Sequence, residues 1–404
     1  MIEEALANEL NLLRKLVEIN TTVTSDSRTG YAECSEMIRL EAQRMGLGTE
    51  VLDGRDVTID GDSRPNVVVS LEGTSDVNLI YVTHLDVVPA DPEKWKTPPF
   101  QLRVTKDRAY GRGAADDKSN IVAAMSAMAE LAQGEPEVNI NLLVTVDEEI
   151  GGRAGIDYLF KDLKMRGHAG VVIDSAPNYV SIGASGALWG RVTIKGEGGH
   201  SGYPHKADNA IYRATRYIDK LREYHSKVSK VRSKIPAPPQ APYPKVHGRF
   251  TITMIHAGEK ENVIPGDCEI RFDRRLTPEE DPTKAQAELQ DYLTKVAKTQ
   301  GTTIDDFQIL HSINGYFTDA KHPFVQHFST ITNQVVGKQL PIVADLGGND
   351  GAQLAEVDIP VVCYGTIRDD TNYHAPNEFV YLKDIQTVRD VLTTLGKSPA
   401  SMFT

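Results

Sequence analysis

The 404-residue chain is poor in cysteine and has no excess of positive charge. Its three cysteines, Cys34, Cys268 and Cys363, stand far apart without CxxC spacing, which argues against a disulfide framework. They read as reduced and buried. Lys and Arg number 44 against 56 Asp and Glu, a net charge of -12. No basic field is therefore available to hold nucleic acid or an anionic membrane surface. No run approaches the roughly 18 consecutive apolar residues of a membrane span. The first residues, with Glu3, Glu4 and Glu9, lack the basic stretch that opens a signal peptide, so the cytoplasm is the expected location. Internal repeats, low-complexity tails and a phosphate-binding loop are also missing. What is present is 40% hydrophobic content, enough to bury the cores of two or three domains of about 150 residues each.

The opening segment spaces Leu6, Leu10, Leu13 and Val17 as an amphipathic helix. Three apolar runs follow, VNLIYVTHLD (77–86), INLLVTVDEE (140–149) and AGVVIDS (169–175), each ending in ionisable residues. A helix over 119–134 separates the first two, and strand–helix alternation implies an α/β domain, with sites outside the carboxyl ends of the strands. From about 186 the order becomes β-α-β-β-α-β, the pattern of a separate ferredoxin-like sandwich. The proline-rich IPAPPQAPYP (235–244) is expected as an extended surface loop inside it. The α/β pattern resumes after 314. The expected organisation is a discontinuous three-layer catalytic domain with a mixed sheet, residues 1–185 and 314–404, and an inserted domain, 186–313.

The chemistry-bearing residues gather at the ends of the apolar runs. His84 and Asp86 stand two apart, so on a strand they share a face, as a metal-ligating histidine and its supporting carboxylate would. By itself such a pair is more often a satisfied histidine and a turn cap. Asp116 and Asp117 precede a helix, where acids commonly cap. Glu148 and Glu149 precede Gly151 and Gly152, Asp174 ends the third run, and His374 sits in a polar loop. Solvation explains any one acidic pair but not acids at the ends of all three strands. Pooled, two histidines and several carboxylates form a nitrogen and oxygen donor set suited to zinc, with cobalt or manganese as substitutes.

In order along almost the whole chain, the blocks YVTHLDVVP, YGRGAADDKSN, VDEEIGG, GGHSGYPHKADNA, NVIPGDCEIRFDRR, LGGNDG and YHAPNE resemble the co-catalytic zinc amidohydrolase and exopeptidase family. That family includes succinyl-diaminopimelate desuccinylase, acetylornithine deacetylase, aminoacylase, glutamate carboxypeptidase and carnosinase-like dipeptidases. The resemblance implies two zinc ions, one held by His84, Asp116 and Asp174, the other by Glu149, Asp116 and His374, with Asp116 as the bridge. It implies Glu148 as general base, Asp86 as support for His84, and a cis peptide between Asp116 and Asp117. It makes His200 an oxyanion donor reaching from the inserted lid, often from a partner subunit in a homodimer formed through that domain. Asn262 and Arg275 would hold a substrate carboxylate, and the loop carrying Gly347, Gly348 and Asn349 would offer it backbone N–H groups. Plainer readings stand beside these: His200 as a strand-end histidine, the loop as a helix entry, and Arg274 and Arg271, neighbours of Arg275 on the same strand, as surface charges.

The implied activity is hydrolysis of an amide bond in a small peptide or N-acyl amino acid bearing a free carboxylate. Asp174 stands where deacylase branches usually carry Glu, which tilts the reading toward a carboxypeptidase or dipeptidase, with desuccinylase or deacetylase as the alternative. An inert binding member of the family is the remaining reading, and retention of Glu148 argues against it. From ligand chemistry alone a two-metal phosphatase or nuclease is also open, but the acidic chain lacks groups for phosphate.

Overall fold

The computed structural model describes residues 2–24 and 27–404, the side chains of 2–4 excepted. The chain separates into two compact units, Met1–Gly183 with Thr318–Val343 and Asn349–Thr404, and Ala184–Phe317 with Ala344–Gly348. The strands used below are β1 (Gly48–Asp53), β2 (Pro65–Leu71), β3 (Asn78–His84), β4 (Asn139–Thr145), β5 (Ala169–Val172), β6 (Val180–Ala184), β7 (Ala187–Lys195), β8 (Arg249–His256), β9 (Asp267–Arg275), β10 (Thr303–Ile313) and β11 (Val361–Cys363). The helices are α1 (Ile2–Glu18), α2 (Tyr31–Arg44), α3 (Lys118–Leu131), α4 (Ala210–Val228), α5 (Pro282–Thr299), α6 (Pro323–Val336) and α7 (Leu382–Gly396).

In the first unit the sheet runs β1-β2-β4-β3-β5-β11-β6. The central pairs β3/β4, β3/β5 and β5/β11 are parallel, while β1/β2, β2/β4 and β11/β6 are antiparallel, so the sheet is mixed. Leu79 to His84 and all of β5 are buried. Consecutive strand residues face opposite ways, so unbroken burial means that both faces of the sheet are covered. The apolar runs LIYV and AGVV follow from that requirement. Helix α3 packs against α1 and α7, and α2 against β1 and β2. Buried Ala123, Ala124 and Ala127 let α3 approach its neighbours closely.

The second unit has its own four-stranded antiparallel sheet, ordered β8-β9-β7-β10, with α4 between β7 and β8 and α5 between β9 and β10. Val192, Ile194, Phe250, Cys268, Ile270 and Phe272 alternate along these strands into one core with Tyr217, Leu221, Leu289 and Leu293 of the helices. Gly190 is required there, because an added Cβ would lie 2.5 Å from the Phe272 ring. The proline-rich stretch is a loop over 237–244, and its flanks pair. Arg232–Pro236 and Lys245–His247 pair as a small antiparallel hairpin, closed by the Ala237 N–H on the Pro244 carbonyl at 3.1 Å. Proline is tolerated here because it ends the strand, where no further ladder N–H is needed. Among the described residues no helix is long and apolar enough to cross a membrane.

Candidate metal centre

Strands β3 and β4 are parallel neighbours with His84 opposite Thr145, so the segments leaving their carboxyl ends emerge side by side. The strands stop earlier than the sequence suggests. β5 ends at Val172, and although the Ile173 N–H still reaches the Val82 carbonyl at 2.7 Å, Asp174 lies in the loop beyond. Glu148 and Glu149 lie in a 3-10 turn rather than at a strand end. The turn begins at Asp147, whose backbone is left-handed at φ 60°. Its buried carboxylate accepts from Arg64 Nε at 2.9 Å, Arg28 Nε at 3.3 Å and the Tyr31 hydroxyl at 2.8 Å.

Asp86 also falls past the end of its strand, and its carboxylate is not the primary partner of His84. The His84 Nδ1–H donates to the Asp86 backbone carbonyl at 3.0 Å, with the nearest carboxylate oxygen at 3.7 Å. The carboxylate accepts instead from the backbone N–H groups of Glu148 and Glu149, at 3.3 and 3.1 Å. Asp86 therefore fixes the acidic turn as well as the imidazole.

The remaining nitrogen decides what the site can hold. A neutral His84 whose Nδ1–H is committed to a carbonyl presents an Nε2 lone pair. That lone pair faces Asp116 Oδ1 at 3.1 Å. His374 Nε2 lies 3.1 Å from both Asp116 Oδ2 and Glu149. Lone pairs opposed to carboxylate oxygens require a proton or a cation between them. Two groups of donor atoms, His84, Asp116, Asp117 and Asp174, and Asp116, Glu149 and His374, each gather within 4.8 Å, with Asp116 common to both. Asp117 joins the first group, but its oxygens already accept from Thr83, the His84 N–H and Asn120. The peptide between Asp116 and Asp117 is cis.

The electrostatics have the same cause throughout. Burial, with Asp350, Asp174 and Glu149 close by, pushes Glu148 well above the ordinary carboxylate range. Burial and Asp116 raise Asp174 to about 8, and burial with Asp86 nearby raises Asp350 to about 7. Asp116 goes the other way: against its burial, hydrogen bonds with His374 and His84 hold it below the usual range. His374, bonded to Asp116 and Glu149, rises to about 10. Among the described residues no Lys or Arg pairs with Asp116, Glu148, Glu149, Asp174 or Asp350. Divalent cations would supply the missing positive charge, so the donor set fits two metal ions.

A profile of peptidase family M20/M25/M40 matches residues 80–397. The chain belongs to that family. Among its relatives, the succinyl-diaminopimelate desuccinylase of Thioalkalivibrio sulfidiphilus is 27% identical over 405 residues, covering 97% of this chain and 99% of that one. The solved structure of an M20 family metallo-carboxypeptidase from Sulfolobus solfataricus superposes with a TM-score of 0.78 at 19% identity, covering 96% of this chain and 98% of the other. Human carnosine dipeptidase 1 gives 0.79 at 17% identity, covering 99% and 97%. The family membership makes this M20 chain a metal-dependent hydrolase of amide bonds.

The remaining expected residues lie elsewhere in the M20 chain. In the second unit, His200 and Asn262 are exposed on adjoining segments, His200 opposite Val263 and the Ser201 N–H on the Asn262 carbonyl at 3.0 Å. Both line a cleft of about 430 Å³. Arg275 Nε donates to Asp273 at 3.0 Å. Gly347 and Gly348 are exposed, whereas Asn349 is buried in the first unit, where its side chain accepts the Gly351 N–H at 3.1 Å. Asp147, Asp350 and Glu378 were not singled out from sequence, although each sits inside a recognised block.

Glu378 organises the loop that presents Asp116. Its fully buried carboxylate accepts the N–H groups of Gly113, Ala115 and Asp116 at 3.1, 2.9 and 3.0 Å and pairs with Arg112 at 2.5 Å. Glu378→Gln leaves the Arg112 guanidinium buried without its counter-charge. Breaking such a pair costs about 3–5 kcal/mol, so thermal unfolding should shift down by many degrees. An unchanged melting curve would show that the pair does not hold the loop.

Proposed function

We propose that the chain hydrolyses an amide bond in a small peptide or N-acyl amino acid that carries a free carboxylate, using two zinc ions. The observation that carries this reading is the Asp116 carboxylate set between two histidine nitrogens at 3.1 Å each. His84, Asp116 and Asp174 would hold one ion, and Asp116, Glu149 and His374 the other. Nitrogen and oxygen donors without thiolate favour zinc, with cobalt or manganese as substitutes. When bound, the pair of ions polarises the attacking water and the scissile carbonyl. Glu148 takes a proton from that water and delivers it to the departing amine. Burial and the neighbouring carboxylates raise its affinity for a proton, which favours a carboxylate that must accept one. Asp86 keeps the Glu148 backbone in place during both transfers.

Two finer readings share this machinery. Asp174 favours a carboxypeptidase or dipeptidase, and the desuccinylase relatives support an N-acyl deacylase. The second unit has the strand order of a ferredoxin-like sandwich and would serve as a lid through which the chain forms a homodimer. Asn262, Arg275 and the Gly347–Gly348 backbone would hold the substrate carboxylate. Three buried free cysteines are in keeping with a reducing, cytoplasmic setting.

Glu148→Gln keeps size and hydrogen bonding but loses basicity. It should lower kcat by about 10²-fold or more on a panel of N-succinyl, N-acetyl and dipeptide substrates, with metal content unchanged by elemental analysis. Asp116→Ala should instead lose both ions. Near-normal turnover by Glu148→Gln, or two tightly held ions in Asp116→Ala, would refute the respective assignment.

His200 would donate to the developing oxyanion, a contribution of about 3 kcal/mol in comparable donors. His200→Ala should therefore be nearly inactive with normal metal content. If the histidine acts across a dimer, subunit exchange with Glu148→Gln chains should restore part of the activity, because one hybrid site receives both intact residues. Hybrids that stay inactive exclude the trans arrangement.

A further inference from the structure

In the second unit, Arg249 and Arg275 stand directly opposite each other on the first rung of the β8/β9 ladder. Directly opposed like charges destabilise a sheet unless something neutralises them. The neighbouring rung pairs Phe250 with Arg274. Phe250 belongs to the core under the helices, and Arg274 is buried and closed off by Glu280 at 2.5 Å. By alternation, Arg249 and Arg275 project from the opposite face of the sheet.

The acid paired with this rung is Asp273. Asp273 accepts from Arg275 Nε at 3.0 Å, and among the described residues no carboxylate lies in ion-pair range of Arg249. Arg249 is anchored by neutral groups instead: its Nη2 donates to Ser185 Oγ and to the Leu346 carbonyl, both at 2.9 Å. Its Nε is buried with no partner. Burial and the proximity of Arg275 lower its pKa to about 10, the mark of a cation held where water and counter-charge are scarce. Arg275 keeps both terminal nitrogens free of protein partners, on a side chain 28% exposed. Arg275 is thus fixed along one edge and open along the other, while Arg249 is anchored through Nη2 and has Nη1 without a partner among the described residues.

We propose that Arg249 joins Arg275 in a two-arginine clamp for one carboxylate, making Arg249 a specificity-determining residue of the amide hydrolysis. The inference rests on the proposed reading that the substrate carries a free carboxylate. Asp273 is taken by Arg275, and among the described residues no carboxylate forms an ion pair with Arg249, a position suited to an anionic ligand. A planar guanidinium offers paired N–H groups that fit the two carboxylate oxygens. The bond from Arg249 to the Leu346 carbonyl ties the entry of the 346–348 loop to the same clamp.

Trp189 reports on this site without turnover, because its ring lies 5.8 Å from the Arg275 guanidinium. The chain has two tryptophans, so Trp95→Phe leaves Trp189 as the sole indole. In that background the metal-loaded protein is titrated with succinate and with uncharged succinamide. Succinate should change the fluorescence saturably and succinamide should not. Arg249→Gln should weaken succinate about tenfold or more, and Arg249→Lys, which keeps the charge but lacks the fork, by a smaller factor. With substrate, Arg249→Gln should raise KM for carboxylate-bearing amides and leave kcat and KM for their amidated analogues near normal. Unchanged succinate binding in a folded Arg249→Gln or Arg249→Lys protein would overturn the clamp, as would equal binding of both probes. Arg249→Lys carries the test if Arg249→Gln fails to fold. Since the titration needs no hydrolysis, a wrong reaction assignment would show in the substrate panel and leave the binding result standing.

Discussion

Buried negative charge that the chain does not neutralise is the constraint around which the first unit is built. Asp116, Asp117, Glu148, Glu149, Asp174 and Asp350 face two imidazoles and no Lys or Arg partner among the described residues. Each carboxylate was taken from water at a cost of several kcal/mol unless compensated. The fold meets part of that cost with neutral donors. Thr83 and Asn120 serve Asp117, and Thr145 serves Asp350 at 3.2 Å. The remainder is left to divalent cations, so metal binding and stability are coupled here.

Around the cluster lies a second set of buried carboxylates that protein donors serve and that position the backbone of the site. Asp147 is gripped by Arg64, Arg28 and Tyr31 and turns the chain so that Glu148 and Glu149 enter the site. Glu378 gathers the backbone amides of Gly113, Ala115 and Asp116 together with Arg112, and so sets the loop that ends in Asp116. Asp86 accepts from the acidic turn. These three carboxylates are near the cluster in sequence, yet their partners are arginines, a tyrosine hydroxyl and backbone amides.

In the second unit the same accounting isolates Arg249. Arg274, one residue from Arg275 and facing the helices, is closed by Glu280 and belongs to the packing of the sandwich. Arg191 is matched by Glu269 and Asp306 on the open face. Arg249 alone of these is held by neutral oxygen acceptors, which is what marks it for a ligand.

The sequence by itself marked the elements and the candidate donors. Apolar runs with ionisable ends read as buried strands, and the acids at those ends, pooled with Asp116 before a helix and His374 in a polar loop, carried the family resemblance that names the ligand set. Period-two alternation in β7 and β9 likewise marked the second sheet. Tertiary structure decided what pattern cannot carry. Where a strand stops depends on its neighbour's last hydrogen bond, so Asp174 and Glu149 proved to be loop residues. Which partner a carboxylate takes depends on chain segments far apart in sequence, so the sequence paired Asp86 with His84 and only the fold shows that its oxygens also accept from Glu148 and Glu149. The proline-rich stretch is a loop as expected, and only the fold shows that its flanks pair and so close it into a hairpin. Glu378 and Arg249 were silent for the same reason: one lone acid and one lone cation acquire meaning only when the fold shows what stands opposite them.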